Sequence, residues 1–151
     1  MDRMTAEYFQ SNAPDPSQSS LDEVLTQATH IRVVDWEESD DGTLERTRVL
    51  AELADAVSLA RLRDCLRIIE DRATFGHCMC IGEEAIELHS PAGRIATIGL
   101  HHGRRIRWEA WKHDATLEDG LRLLRFLADR GVSRPLERYE QTLHEGGAGE
   151  G

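Results

Sequence analysis

The sequence predicts a two-layer α+β domain, in which an antiparallel sheet carries two helices packed on one face. Three observations predict this fold class. Apolar and polar residues alternate with a period of two in three segments between residues 85 and 111, which is typical of half-buried strands. A β-branched segment followed by an acidic turn predicts an N-terminal strand pair. Leucines at helical spacing before and after the alternating region predict the two helices.

The chain divides into one domain and two ends. At 151 residues it is long enough for a single domain with a buried core. Residues 1–20 are predicted to be a disordered arm, because the stretch SNAPDPSQSS cannot bury enough apolar area to offset the entropy of ordering. Residues 21–140 form the predicted domain, and residues 141–151, which end in GGAGEG, are predicted to be a flexible tail.

The N-terminal strand pair is predicted from β-branched content. Ile31–Trp36 is the first strand and Thr43–Leu53 is the returning strand. Between them the acidic run Glu37–Gly42 predicts a turn. We expect the two strands to pair as a hairpin, whereas Leu21–Ala28 suits either a short helix or an extended segment.

The first predicted helix spans Val57–Leu66. Asp55 or Ser58 is its cap, because either side chain accepts hydrogen bonds from the first free backbone N–H groups. Its apolar face carries leucines at helical spacing, namely Leu59, Leu62 and Leu66. Cys65 lies beside this face and is predicted to be a small buried hydrophobe. The following Arg67–Glu70 stretch suits either a strand or a continuation of the helix.

A meander of four short strands is predicted in the second half of the chain. The strands are Cys78–Ile81, Ala85–His89, Arg94–His101 and Arg105–Trp111. Ser90–Gly93 predicts the turn between the second and third strands, because proline presets the dihedral angle of the second turn residue and glycine suits the fourth. His102–Gly103 predicts the next turn. In the fourth strand the alternation places Trp108 in the core and Trp111 on the exposed side with Arg107.

The last helix is predicted to begin at a capping box of Thr116 and Asp119. One apolar stripe follows at helical spacing, formed by Leu117, Leu121, Leu124, Leu127 and Ala128. Gly131 supplies the left-handed residue that ends many helices, and Pro135 prevents continuation. We expect this helix to cross the meander and to cover its core face.

Charge and composition limit the classes of function. The chain carries 28 acidic and 18 basic residues, a net charge of −10, which opposes binding to nucleic acid or to an anionic membrane through a general field. No apolar run approaches the roughly 20 residues of a membrane helix, and residues 1–10 lack the apolar core of a secretory signal, so the expected compartment is the cytoplasm. The odd count of three cysteines indicates free thiols or metal ligands instead of a disulfide framework.

A protein-binding surface is predicted on the exposed side of the meander. The segment from His101 to Asp114 combines arginine and tryptophan, which supply bidentate donors and broad apolar area at interfaces. The predicted contact residues are Arg105, Arg107, Trp111 and Asp114. The alternative interpretation is that an Arg–Asp or cation–π pair only braces the edge of the sheet.

Two further interpretations involve the cysteines. Cys78 and Cys80 share one face of a strand, so with His101 or His102 they could hold zinc or copper. The competing prediction is that both cysteines fill the core. A thiolate of this pair, with a histidine base and Asp114, would form a Cys–His–Asp catalytic set, although the local signatures of cysteine proteases are missing.

Three segments of the second half of the chain carry a likeness to other proteins. They are a C-M-C-x-G segment, an H-H-G-x-x-x-R-W-x-x-W segment and an Asp-Ala pair before the final helix. These positions are Cys78, Met79, Cys80 and Gly82; His101, His102, Gly103, Arg107, Trp108 and Trp111; and Asp114 and Ala115. In these motifs the chain resembles a family of small uncharacterised bacterial proteins, mostly actinobacterial. The resemblance implies no particular activity.

The leading prediction is a non-enzymatic cytoplasmic protein-binding module, of the immunity or regulator type, that needs no cofactor. It would meet a protein partner through the exposed face of the meander. The alternative is a soft-metal or zinc-binding protein that uses Cys78, Cys80 and His101 or His102. A Cys–His enzyme is the third prediction.

Overall fold

The computed structural model describes the backbone of residues 13–70 and 82–150, and the side chains up to residue 144. The predicted strand Cys78–Ile81 and residues 1–12 of the predicted arm lie outside the described residues. The helices are α1 (Gln18–Gln27), α2 (Ala56–Cys65), α3 (Gly120–Asp129) and α4 (Arg134–Glu150). The strands are β1 (His30–Glu38), β2 (Leu44–Leu53), β3 (Ile68–Ile69), β4 (Ala85–Ser90), β5 (Gly93–His101), β6 (Arg105–Arg107) and β7 (Ala115–Leu117).

The strands of the described residues form one antiparallel sheet in the order β2-β1-β4-β5-β6-β7-β3. The predicted α+β class and the predicted hairpin of the first two strands are confirmed. β1 pairs with β4 as well as with β2, which joins the hairpin to the meander. The N-terminal strand pair therefore extends the meander sheet at one edge.

Helices α1, α2 and α3 cover one face of this sheet. Their apolar side chains share a single core with Val33 of β1, Ile86 of β4 and Ile98 of β5. These strand residues are register neighbours, because Val33 pairs with Ile86 and Ile86 pairs with Ile98. Burial of such a face stabilises the fold by about 25 cal/mol per Å² of apolar area. The two-layer prediction is confirmed, with four helices in the described residues in place of the predicted two.

Several local predictions around α2 and the β4–β5 turn are also confirmed. Asp55 caps α2 by accepting a hydrogen bond at Oδ2 from the backbone N–H of Ser58, at 2.9 Å. Cys65 is buried. The turn between β4 and β5 is closed by pairing of Ser90 with Gly93, whose φ of +127° suits glycine.

The prediction that Trp108 is the core tryptophan is wrong. β6 ends at Arg107, and a turn follows in which the N–H of Trp111 donates to the carbonyl of Trp108 at 2.9 Å. The strand alternation therefore stops before Trp108, and Trp111 is the largest fully buried side chain among the described residues. Its Nε1 donates to Ser20 Oγ of α1 at 2.9 Å, and Trp108 packs edge-to-face against it.

Two helices extend across the predicted domain boundaries, one at residue 20 and one at residue 141. α1 begins at Gln18, after the cap Ser17, whose Oγ accepts from the N–H of Ser20 at 3.2 Å. Leu21 is fully buried, so α1 is part of the packed domain. At the other end, α4 continues to Glu150. The polar composition concealed both helices, because caps and exposed helical turns are themselves polar.

The last part of the meander also differs from the prediction. Thr116, the expected start of a capping box, lies in β7 and pairs with Arg105 of β6. Helix α3 begins after Asp119, whose Oδ1 accepts from the N–H of Arg122 at 3.1 Å. Gly131 has the predicted left-handed conformation, with φ +89°, after the end of α3. Pairing with β6 therefore places Thr116 in a strand, although its local sequence pattern also suits a helix.

The edge strand β2 contains two bulges. Its register with β1 shifts twice, so that Leu50 and Thr47 are each one extra residue on β2. Bulges interrupt the row of free backbone groups at a sheet edge and increase the local twist. They therefore protect this edge from pairing with another strand, and they bend the outer half of the hairpin.

Helix α4 is attached through a buried carboxylate. Glu84 is fully buried and accepts hydrogen bonds from both terminal nitrogens of Arg138, at 3.1 and 3.0 Å. Loss of Arg138 would leave Glu84 as an uncompensated buried charge, so this pair determines where α4 docks. None of the helices in residues 13–70 and 82–150 is long and apolar enough to cross a membrane.

Replacing Trp111 with alanine is expected to lower the free energy of unfolding by about 3–5 kcal/mol, because it empties a large site in the core. The matched control is Trp108→Ala, with a smaller expected loss because Trp108 is only partly buried. Urea denaturation followed by far-UV circular dichroism measures both values. Equal losses for the two variants would contradict the assignment of Trp111 as the core residue.

Candidate binding face on the open side of the sheet

The face of the sheet opposite α1, α2 and α3, here called the open face, carries the second set of alternating side chains. One row of register partners crosses five strands and consists of Val49, Val34, Ala85, Gly99 and Arg107. We call its first four members, which are small or apolar, the floor row. Val34, Ala85 and Gly99 are buried, yet they lie outside the helix-side core. The Arg46 guanidinium covers Gly99, since a Cβ atom there would lie 3.3 Å from both of its terminal nitrogens.

Two adjoining depressions follow the floor row. One, of about 420 Å³, is lined by Val34 and Val49, and the other, of about 390 Å³, is lined by Thr97 and Gly99. The residues that line them belong to strands and connections, and no helical residue of the described chain is among them. Arg46 lines both depressions, as does Arg94, so the two lie side by side.

Arginines from four strands surround the depressions. They are Arg32 of β1, Arg46 of β2, Arg94 of β5 and Arg107 of β6, here called the face arginines. The acidic residues in the same lining are Glu87 and Glu109. Three of the four face arginines are paired with carboxylates of the same chain, so the arginine charge of the lining is largely compensated.

Arg46 reaches across the open face from the edge strand. Its Nε donates to the carbonyl of Glu83 at 3.1 Å, and its guanidinium lies 4.4 Å from the ring centroid of Trp36. A Cβ atom on Gly99 would lie 3.3 Å from both terminal nitrogens of Arg46, and one on Gly82 would lie 2.7 Å from one of them. Trp36 Nε1 donates to the carbonyl of Gly82 at 3.1 Å. The outer half of the hairpin is thus folded over the open face, and glycines permit the contact.

Arg32 and Arg94 each form an ion pair on the open face. Arg32 Nε donates to Glu52 at 2.9 Å, and 36% of the Arg32 side chain is exposed. Arg94 donates from one terminal nitrogen to Glu87 at 3.3 Å, and 60% of its side chain is exposed. The pair of Arg32 with Glu52 is exposed on both sides and contributes roughly 0–1 kcal/mol. Glu87, in contrast, is buried, so Arg94 compensates a carboxylate that is largely removed from water.

Arg107 lies at the opposite end of the floor row and is held firmly. Its Nε and one terminal nitrogen donate to the two carboxylate oxygens of Asp114, at 2.8 and 3.1 Å. Asp114 is fully buried, and only 13% of the Arg107 side chain is exposed. A bidentate pair removed from water has a defined geometry, so Arg107 is the rigid member of the face arginines.

The structure places the four predicted contact residues in different environments. Arg105 is exposed on β6, while Arg107 is mostly buried against Asp114. Trp111 and Asp114 are buried, so neither can form part of an exposed contact surface. The prediction failed for these two because β6 ends at Arg107 and the chain then turns back into the core.

Sequence reasoning missed the face arginines of the other strands. Arg46 and Arg94 each lie at the start of a predicted strand, and Arg32 lies in a third. The alternation within a strand indicates which of its side chains lie on the same face of that strand. It does not indicate the order of the strands, and only the pairing of β1 with β4 places the three arginines around one depression.

The residues of the metal hypothesis are only partly described. His101 is buried, and burial lowers its pKa from 6.5 to about 4, with the nearby Arg107 guanidinium acting in the same direction. His102 is exposed in a turn with φ +57°, and the two imidazole centroids are 6.4 Å apart. Cys78 and Cys80 lie outside the described residues. Within residues 13–70 and 82–144, no group of three His, Cys, Asp or Glu side chains is placed to hold a metal ion.

Cys65 is the cysteine of the described part of the chain. It is buried, and desolvation raises the pKa of its thiol. A thiol in such surroundings stays protonated at neutral pH and is a poor nucleophile. Cys65 therefore has a packing role, as predicted.

The free energy of unfolding is expected to fall as the pH drops from about 6.5 to about 4, in part because of His101. In this window the unfolded chain binds a proton on His101 and the folded chain does not. The loss from this one group is at most about 1.4 kcal/mol per pH unit. Urea denaturation across the window should show a shallower fall for His101→Gln, and an identical slope would contradict the assignment.

Comparison with protein-family models, with curated proteins and with solved structures found no match to the chain. The resemblance to small actinobacterial proteins therefore stays a hypothesis that rests on the quoted motifs. The function has to be inferred from the open face and its arginines.

Proposed function

We propose that the chain is a non-enzymatic protein-binding module, of the immunity or regulator type, that receives a protein partner on the open face. The observation that supports this proposal is the convergence of four face arginines, from four strands, on depressions that no helix of the described chain lines. Arginine is enriched where interfaces make their strongest contacts, because its planar guanidinium donates several hydrogen bonds and also packs on flat surfaces.

The composition of the lining favours binding over catalysis. The four arginines of the lining stay protonated at neutral pH and have no acceptor, so they cannot act as general bases. The Glu87 carboxylate of the same lining is engaged by His89 and Arg94, at 3.0 and 3.3 Å. The Arg46 guanidinium is also engaged with Trp36 and with a backbone carbonyl. These features suit a surface that holds charged or polar groups in place.

Compared with the sequence prediction, the proposed surface keeps the exposed side of the meander and changes its residues. Arg107 remains, at the rigid end of the floor row, and Arg105 lies beside it on β6. The open face adds Arg32, Arg46 and Arg94. The tryptophan beside the depressions is Trp36, half-buried beneath Arg46.

Blocking the floor of the open face tests the proposal. Thr97 is partly buried over the second depression, so Thr97→Trp would fill it, whereas Thr26→Trp places the same bulk at an exposed site on α1. Proteins captured from an extract of the source cells by tagged wild-type chain are expected to be lost with Thr97→Trp and kept with Thr26→Trp. Quantitative mass spectrometry measures the captured proteins, and thermal unfolding confirms that both variants fold. Capture that is unchanged by Thr97→Trp would refute the proposal.

Metal binding is the second candidate function. One contact favours it: a Cβ atom on Gly82 would lie 2.7 Å from His101 Nε2, and Cys80 precedes Gly82 by two residues. A histidine must be neutral to bind a metal ion. Burial keeps His101 neutral, because it lowers the pKa of the imidazole. Elemental analysis of protein purified without added metal separates the two functions. We expect no stoichiometric zinc or copper; a stoichiometric metal that disappears from a variant with Cys78→Ser and Cys80→Ser would make metal binding the first function.

A further inference from the structure

We infer that His30 of β1 and His89 of β4 form a binding site for a divalent transition-metal ion, of the zinc, copper or nickel class, on the open face. The inference does not depend on the proposed function, because the measurement that tests it needs no partner protein. It also differs from the metal hypothesis of Cys78 and Cys80, with which it shares no residue.

The two histidines lie directly opposite each other on one face of the sheet. His30 pairs with His89 in the antiparallel register of β1 with β4. Their neighbours Ile31 and Leu88 belong to the helix-side core, so both histidines point to the open face. Directly opposite side chains have Cβ atoms about 4.5–5.5 Å apart, so two imidazoles at such positions are able to reach one ion.

The separation of the two imidazoles suits a shared metal ion. Zinc binds an imidazole nitrogen at about 2.0–2.1 Å, and the ring centroid lies about 1.1 Å beyond that nitrogen, so the ion is about 3.2 Å from each centroid. At a tetrahedral angle, two rings that share one zinc ion therefore have centroids about 5.2 Å apart. The centroids of His30 and His89 are 5.4 Å apart. The sheet thus already holds the rings at the distance that coordination requires.

A carboxylate next to each ring favours one tautomer. His89 Nε2 lies 3.0 Å from Glu87 Oε1, and His30 Nε2 lies 3.9 Å from Glu52 Oε1. An ionised carboxylate only accepts hydrogen bonds, so Nε2 is the nitrogen of neutral His89 that carries the proton. Histidines that bind metal ions commonly donate their other N–H to a carboxylate, which fixes the tautomer and makes the remaining nitrogen a stronger ligand. Glu87 has this position relative to His89, and Glu52 approaches it for His30.

The Nδ1 atom of each ring is the remaining ligand. In the part of the chain that the structure describes, the polar contacts of His30 and His89 are those of Nε2 with the two carboxylates. Both rings reach solvent, since 34% of the His30 side chain and 17% of the His89 side chain are exposed. Imidazole nitrogen suits zinc, copper and nickel. Two protein ligands leave the other coordination positions to water, so the ion exchanges readily and is lost when the protein is purified without added metal.

The charges around the pair permit a cation to bind. Glu52 and Glu87 are compensated by Arg32 and Arg94, which form ion pairs with them. The immediate surroundings are therefore close to neutral, and the net charge of −10 on the whole chain attracts a divalent cation at longer range. Selectivity comes from the imidazoles, which bind a metal ion as neutral groups.

Titration of the isotope-labelled full chain with zinc chloride tests the inference. NMR is expected to show the imidazole signals of His30 and His89 shifting together and reaching saturation. His30→Gln and His89→Gln should each weaken binding at this site at least about tenfold, because even the loss of an outer partner of a metal ligand costs that much. The matched control is His144→Gln, which removes an exposed histidine of α4 and should leave the affinity unchanged. Thermal unfolding confirms that the variants fold, and the wild-type signals report on the site without any variant.

Three outcomes would overturn the inference. Imidazole signals of His30 and His89 that stay in place as zinc is added would show that the pair binds no ion. Shifts that grow in proportion to zinc without saturation would show two separate surface histidines and no shared site. Saturable binding that survives His89→Gln but is lost in a variant with Cys78→Ser and Cys80→Ser would assign the zinc to the cysteines.

Discussion

The helices in contact with the sheet core pack on one side of it, and the rest of the structure depends on this constraint. Successive residues of a strand point to opposite faces, so each strand that supplies Val33 or Ile86 to the core also supplies a residue to the other face. That face cannot be left apolar and uncovered without a large exposed hydrophobic patch. Here small residues form its floor, the Arg46 guanidinium lies over Gly99, and Arg94 extends toward water with 60% of its side chain exposed.

Two ion pairs with fully buried carboxylates complete this arrangement, one on each side of the sheet. Glu84 and Arg138 hold α4 on the helical side, and Asp114 and Arg107 join β7 to the end of the open face. Each carboxylate is fully buried, so removal of its arginine would leave a charge without compensation. The consequence for the open face is a division of roles. Arg107 is held by a fully buried carboxylate, whereas 60% of the Arg94 side chain is exposed to solvent.

This division matches the demands of recognition. A rigid donor at one end reduces the ordering entropy that binding must overcome, and exposed donors at the other end adapt to the ligand. Arg46 connects the two, because it reaches from the edge strand to Gly99 while stacking on Trp36. The bend that the bulges introduce in β2 makes this reach feasible.

The candidate face could be predicted from the sequence only in part. Alternation in Arg105–Arg107 correctly placed those arginines on the side away from the core, since Ile106 between them is fully buried. The pattern does not reveal where a strand ends, and a strand that stops at Arg107 reverses the roles of Trp108 and Trp111. Arg32, Arg46 and Arg94 belong to strands that are distant in sequence, and no local pattern indicates that they meet.

The sequence by itself determined the α+β class, the N-terminal hairpin, the Ser90–Gly93 turn and the cap of α2, because each depends on residues a few positions apart. The tertiary structure decided which tryptophan is buried, that α1 is part of the domain and that β1 pairs with β4. These outcomes depend on contacts between residues that are distant in sequence, such as the hydrogen bond from Trp111 to Ser20. A local sequence pattern carries no information about such contacts. The open face arises in the same way: strand order, which is a property of the assembled sheet, brings its arginines together around one row of small residues.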